Sequence, residues 1–146
     1  MLLVLEWLVR QPEWHGAAVF IEEPETHLFP TTQRQLVEAL VGYRNRSDLG
    51  LLVTTHSPYV LTAMNNLIMA QNVIEERGEE ATAAVLKVIG GNRALRYVDV
   101  SAYTVDDGTA TSIMDDEVKL IGSSVIDDVS DDFEAVYGRL VDMRYP

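Results

Sequence analysis

Two glutamates, Glu22 and Glu23, follow directly on an uninterrupted apolar run, Ala17-Ala18-Val19-Phe20-Ile21, and are followed by Pro24 and Glu25. The shortness of the run and its β-branched residues predict a buried strand, of the kind found in the middle of a parallel sheet. Two adjacent carboxylates at the carboxyl tip of such a strand are costly unless something cationic sits there. In open α/β sheets, ligands bind outside the carboxyl ends of the strands. Neighbouring side chains at a strand tip can point differently. One carboxylate can hold Mg²⁺ through its water shell while the next orients or deprotonates an attacking water, which is the division of labour that magnesium-nucleotide hydrolysis needs. His56 ends a second short apolar run, Leu51-Leu52-Val53-Thr54-Thr55, roughly thirty residues later. A histidine there can donate a hydrogen bond to a phosphate oxygen as charge develops on it.

The intervening elements must bring the two tips together. Thr31 or Thr32 is expected to cap a helix whose apolar positions are Leu36, Val37, Leu40 and Val41, with Gly42 and the polar stretch 44–48 ending it. Strand, helix, strand is the parallel crossover unit, and it puts both tips on one sheet edge. Ser57 and Pro58 read as the N-cap and first residue of another helix. That helix carries Val60, Leu61, Met64, Leu67, Ile68 and Ile74, with a break allowed at Asn65-Asn66. A further helix over residues 79–89 is stopped by Gly90-Gly91. Residues 97–105 alternate apolar and polar, Asp107-Gly108 signals a tight turn, and residues 109–114 form the partner strand of a hairpin. Ser130 is expected to cap a terminal helix holding Phe133, Val136, Tyr137, Leu140 and Val141. The N-terminal segment with Leu2, Leu3, Leu5, Trp7, Leu8 and Val9 reads as an amphipathic helix rather than a signal peptide, because no basic residue precedes it.

The stretch Val19-Phe20-Ile21-Glu22-Glu23-Pro24-Glu25-Thr26-His27-Leu28-Phe29-Pro30 resembles the Walker B motif and D-loop of ABC-type ATPases. The flavour is that of the RecF-like and OLD-like (overcoming lysogenisation defect) members of the AAA ATPases. Thr54-Thr55-His56-Ser57-Pro58 resembles their switch-histidine loop. The resemblance covers about residues 1–76 and implies a partial P-loop NTPase fold. That fold is α/β, a parallel sheet flanked by helices, here with a C-terminal β-hairpin and terminal helix. It implies Glu22 as the Mg²⁺-associated acid, Glu23 as the catalytic base, His56 as the γ-phosphate sensor, and Glu25, Thr26, His27 and Leu28 as a D-loop that crosses to a partner domain. ATP and Mg²⁺ would be the ligands of the complete protein, a homodimer its expected assembly, and DNA repair or phage defence its setting. Residues 1–90 would form the C-terminal lobe of the ATPase domain, and residues 91–146 an acidic extension of it.

The sequence departs from that family pattern: it has no Q-loop before the Walker B strand and no signature motif. It contains no G-x-x-x-x-G-K-[ST] loop, and Gly90-Gly91-Asn92-Arg93 does not supply one. The chain reads as beginning just downstream of the family's signature motif, so the lobe with the phosphate-cradling loop is expected from elsewhere, and the isolated chain is expected to be inactive. The alternative is a non-catalytic interaction or dimerisation module that self-associates through uncovered apolar edges.

Composition narrows the remaining classes. There are no cysteines, which removes disulfides, thiol catalysis and zinc–cysteine sites, and fits a cytoplasmic protein. No apolar run approaches the roughly 20 residues of a membrane span. The net charge is −12 and uneven. Residues 1–98 hold 11 acids and 8 bases, whereas residues 99–146 hold 12 acids and 3 bases. The tail half should repel nucleic-acid phosphates, so any nucleic-acid contact is expected on a missing segment or a partner. Asp127, Asp128, Asp131 and Asp132 lack the glycine turn and terminal glutamate of a calcium loop and read as solvated caps. His27 stands four residues after Glu23, but Pro24 breaks any helix there and no H-E-x-x-H pattern is present.

Overall fold

A computed structural model describes residues 18–47, 49–122 and Met143. Strand β1 (Ala18–Glu22), helix α1 (Pro30–Arg44) and strand β2 (Gly50–Thr54) form the crossover unit, followed by helices α2 (Pro58–Arg77) and α3 (Glu79–Val88). A 3₁₀ turn over Tyr97–Asp99 leads into β3 (Tyr103–Asp106), β4 (Thr109–Ser112), β5 (Met114–Asp115) and β6 (Leu120–Ile121). β1 and β2 are parallel, with Ala18 opposite Gly50 and Glu22 opposite Thr54. β3–β4 and β5–β6 are antiparallel hairpins. The expected terminal helix, the acidic positions 127–132 and the N-terminal helix lie outside the described residues.

The expected buried strand takes a different form. Among the described residues the parallel sheet has two strands. One face, with Val19 and Leu51, leans on a small cluster built from Tyr43 and Leu49. The other face turns Phe20 (71% exposed) and Leu52 (49%) outward. A continuous apolar run predicts burial on both faces, but pairing alone covers neither.

α1 opens two or three residues earlier than expected. Pro30 occupies the first turn, and Phe29 is the N-cap with no side-chain capping bond. Proline's fixed φ is already helical and its missing N–H is one the first turn leaves unpaired anyway, so Thr31 and Thr32 fall inside the helix. The helix also continues past Gly42 to Arg44, a cation suited to the negative end of the helix dipole. At the start of α2 the expected cap is present. Ser57 is extended and its hydroxyl accepts from the Tyr59 amide at 3.2 Å. α2 runs unbroken through Asn65 and Asn66. Asparagine usually competes with helical backbone by bonding it locally. Here the Asn65 side chain instead donates to the Ile121 carbonyl at 2.9 Å and accepts from the Ile121 amide at 2.8 Å, while Asn72 donates to the Lys119 carbonyl. These bonds tie the short β5–β6 hairpin, which has no clear signature in the sequence, to the flank of α2. Gly78, with φ 73°, ends α2 and lets the chain reverse into α3.

The expected first hairpin strand is shorter than its alternating pattern. Residues 97–99 form a 3₁₀ turn because Arg96 closes on Asp99 at 2.7 Å and Tyr97 and Val100 pack on the core. The turn itself matches expectation: Asp107 (φ 44°) and Gly108 (φ 73°) are both left-handed, as a two-residue hairpin loop requires.

The core lies between α1 and α2. Val37 and Val41 of α1 meet Val60, Ala63, Leu67 and Ile68 of α2, and Leu95 and Ile121 close the cluster from the later chain. Ile68 is completely buried. We expect Ile68→Ala to cost about 3 kcal/mol through lost burial and a residual cavity, measured by urea unfolding.

A pH dependence follows from the contact between the two later segments. The Tyr97 hydroxyl donates to Asp116 at 2.7 Å, and that bond, with desolvation and the nearby carboxylate charge, pushes the phenol up to about 12. Its folded value is raised, so the stability it contributes is fully present below the ordinary phenol range near 10 and is lost as pH rises through about 12. Tyrosinate absorbance should show one tyrosine titrating late, and Tyr97→Phe should abolish that late step.

Candidate functional site

Parallel pairing places Glu22 and Thr54 in register, so the chain leaves both strands at one sheet edge. Beyond β1 the backbone turns sharply. Glu23 has φ 39°, a left-handed conformation that is strained for a side-chain-bearing residue by about 1–2 kcal/mol. Its amide donates to the Thr54 carbonyl at 3.0 Å, which extends the ladder by one residue and holds the strained geometry in place. The result is that Glu22 and Glu23 diverge. Glu22 is exposed, and its side chain has no hydrogen bond or ion pair among the described residues. Glu23 reaches across to the neighbouring tip, where its Oε1 lies 2.9 Å from His56 Nε2. With its proton on Nε2, the imidazole donates to the carboxylate. Both groups are solvent-accessible, with 88% of the His56 side chain and 48% of the Glu23 side chain exposed.

The segment after Glu23 is a compact turn. Thr26 closes it twice on the Glu23 carbonyl, through its amide at 3.0 Å and its hydroxyl at 2.8 Å. The Leu28 amide bonds the Glu25 carbonyl at 2.9 Å. His27 has φ 65°, and the exposed Thr26 and His27 form the outer rim. Glu25 does not share that rim. It is only 7% exposed. Its Oε1 accepts from the Thr55 hydroxyl at 2.5 Å and from the His56 amide at 3.0 Å. Behind it, the Ser57 hydroxyl donates to Gln33 Oε1, and Gln33 Nε2 donates to the Leu28 carbonyl at 2.9 Å. Thr55, Ser57 and Gln33 therefore belong to the scaffold of the site. The sequence marks Thr55 and Ser57 for the loop and the helix cap, and does not mark Gln33. The detectable signal was a glutamine in the first turn of α1, a polar residue where the apolar stripe faces the core.

The arrangement can do two things chemically. A carboxylate beside an imidazole at an accessible edge can exchange a proton with a bound water, and the imidazole can donate to an anion that displaces the carboxylate. Glu22, an accessible hard oxygen without a partner among the described residues, suits an ion held through water and substrate phosphates rather than by a protein cage. Among the described residues no group of three or more acidic, histidine or cysteine side chains is arranged as a metal cage. An open cleft lined by Arg44, Arg46, Asn92, Arg96 and Asp99 lies near the amino end of β2, away from this pair. No described helix is long and apolar enough to cross a membrane.

Because the Glu23–His56 pair is mostly solvated, it contributes little to folding. We expect His56→Ala to change stability by less than about 1 kcal/mol in urea unfolding. A larger loss would mark the pair as structural.

Searches of curated proteins and of solved structures return no match to the chain. Residues 2–62 match the model of a family described as "AAA domain, putative AbiEii toxin, Type IV TA system", a stretch shorter than half the chain. The match includes Glu22, Glu23, the turn that follows and His56, and it supports an AAA-type ATPase domain of the P-loop class over that segment.

Proposed function

We propose that this chain provides the hydrolytic edge of an ATPase: Glu23 as the general base, His56 as the γ-phosphate contact and Glu22 as the carboxylate associated with Mg²⁺. The observation that carries this reading is the 2.9 Å Glu23–His56 contact across the tips of two parallel strands. Magnesium, when bound, supplies charge neutralisation for the phosphates. Glu23 would accept the proton of the attacking water at its carboxylate. The strained backbone at Glu23 holds that carboxylate over the edge rather than along the strand. His56 would exchange its hydrogen bond to Glu23 for one to a phosphate oxygen, which frees the carboxylate for the water. The backbone amides and lysine that cradle phosphates would come from a segment outside this sequence, and a homodimer would bring the rim of Thr26 and His27 toward a partner domain. We place its setting in DNA repair or phage defence; the matched family's description names a putative toxin of a Type IV TA system. A second reading, a dimerisation module, is favoured by the outward-facing Phe20 and Leu52.

The test is ATP turnover by the ATPase with its phosphate-binding lobe present. Glu23→Gln should lower kcat by about 10²–10⁴-fold, the usual contribution of a positioned base, with ATP binding retained. Wild-type turnover in that variant would remove Glu23 from the base role.

A further inference from the structure

We propose that Glu25 is the positioning residue for His56, fixing the backbone from which the imidazole reaches the site; its functional meaning rests on the reading of His56 as a phosphate contact. Glu25 follows Pro24 in the turn after β1, while the groups it binds lie on the tip of β2. Its Oε1 takes both the Thr55 hydroxyl and the His56 amide. The Thr55 hydroxyl oxygen in turn accepts from the Ser57 amide at 3.0 Å, so one carboxylate oxygen organises three consecutive residues. The other oxygen, Oε2, is buried and, among the described residues, has no hydrogen-bond partner. Among the described residues no Lys, Arg or His side chain pairs with Glu25. Burying a carboxylate in this state is expensive, and space-filling alone would be served better by an apolar residue. What an acceptor-only group adds is a firm hold on donors. The neighbouring chain offers two, and one of them is the main-chain amide of His56 itself.

The exposure of the ring makes this hold matter. Among the described residues the polar contact of the His56 side chain is with Glu23, and most of the ring is solvated. The ring can therefore swing between Glu23 and an anion while its Cα stays anchored. Remove the anchor and the reach of the ring is no longer set by the two strand tips. Glu25 touches no reacting atom in this scheme and acts through residues 55–57.

Amide hydrogen exchange on the ¹⁵N-labelled 146-residue chain reads this directly. Glu25→Ala should speed exchange at His56 by about tenfold or more, as expected for loss of a hydrogen bond to a charged acceptor. Leu67 and Ile68, in the core of α2, should stay within about threefold. Glu25→Gln keeps a side-chain oxygen that can accept both donors, and should restore His56 protection to near the wild-type rate. Unchanged exchange at His56 in the alanine variant overturns the proposal. So does an equal rise at Leu67 and Ile68, which marks Glu25 as a general stability residue. Should the alanine variant not fold, Thr55→Val decides: removing the hydroxyl should raise exchange at Ser57 and His56 severalfold, and wild-type rates at both overturn the proposal. None of these readouts uses ATP, so they succeed or fail separately from the Glu23→Gln turnover test.

Discussion

The parallel pairing of β1 with β2 is the constraint on which the rest of the site depends. Parallel strands cannot be joined by a tight turn, so a crossover helix is obligatory, and α1 is that helix. Once the register sets Glu22 opposite Thr54, two loops must leave the sheet side by side. Glu23 and His56 are separated by 33 positions in the chain yet meet at 2.9 Å because both follow strands that end together. A shift of one residue in that register would exchange the faces of β2 and move His56 off Glu23.

Around this edge the chain divides its polar groups by burial. Groups suited to meeting solvent or ligand, Glu22, Glu23 and His56, are accessible and weakly paired. Groups that only hold the loops, Glu25, Gln33 and Thr55, are half-buried or buried and hydrogen-bonded to backbone or to one another. Weak exposed pairs contribute little to stability and so are free to exchange partners, whereas a buried acceptor is costly to leave unpaired and so resists movement. Backbone strain at Glu23 fits the same division, since the ladder bond to Thr54 offsets it locally.

The later chain supports the edge from behind. Leu95 and Ile121 complete the α1–α2 core. Polar ties reinforce this: Arg93 bonds Glu38 at 2.7 Å, Asn45 bonds the Ala94 carbonyl at 2.8 Å, and Arg96 with Arg44 holds Asp99, whose carboxyl is kept below its usual range chiefly by the hydrogen bond from Arg96. Arg93 and Arg96 of the later chain and Arg44 of α1 thus place positive charge at this seam.

The sequence by itself determined most of the elements and which polar groups stand at the strand tips. Apolar runs ending in Glu22-Glu23 and in Thr55-His56, the Ser57-Pro58 start of α2 and the Asp107-Gly108 turn each carry their signal within a few residues, because strand length, capping and left-handed turns are local properties. The same local motifs carry the resemblance to P-loop ATPases, since their spacing is itself a sequence feature. The sequence misjudged the opening of α1, where Pro30 overrides the threonines. It could not show that Phe20 and Leu52 face outward, since burial depends on what lies across the sheet. Tertiary structure alone decided that Glu25, a neighbour of the other turn residues in sequence, points inward to the His56 amide. It alone gave the Asn65 and Asn72 ties to the β5–β6 hairpin. Those contacts join residues about 30 to 56 positions apart, and a hydrogen bond between distant residues is fixed only when the packing of whole elements brings donor and acceptor within 3 Å of each other.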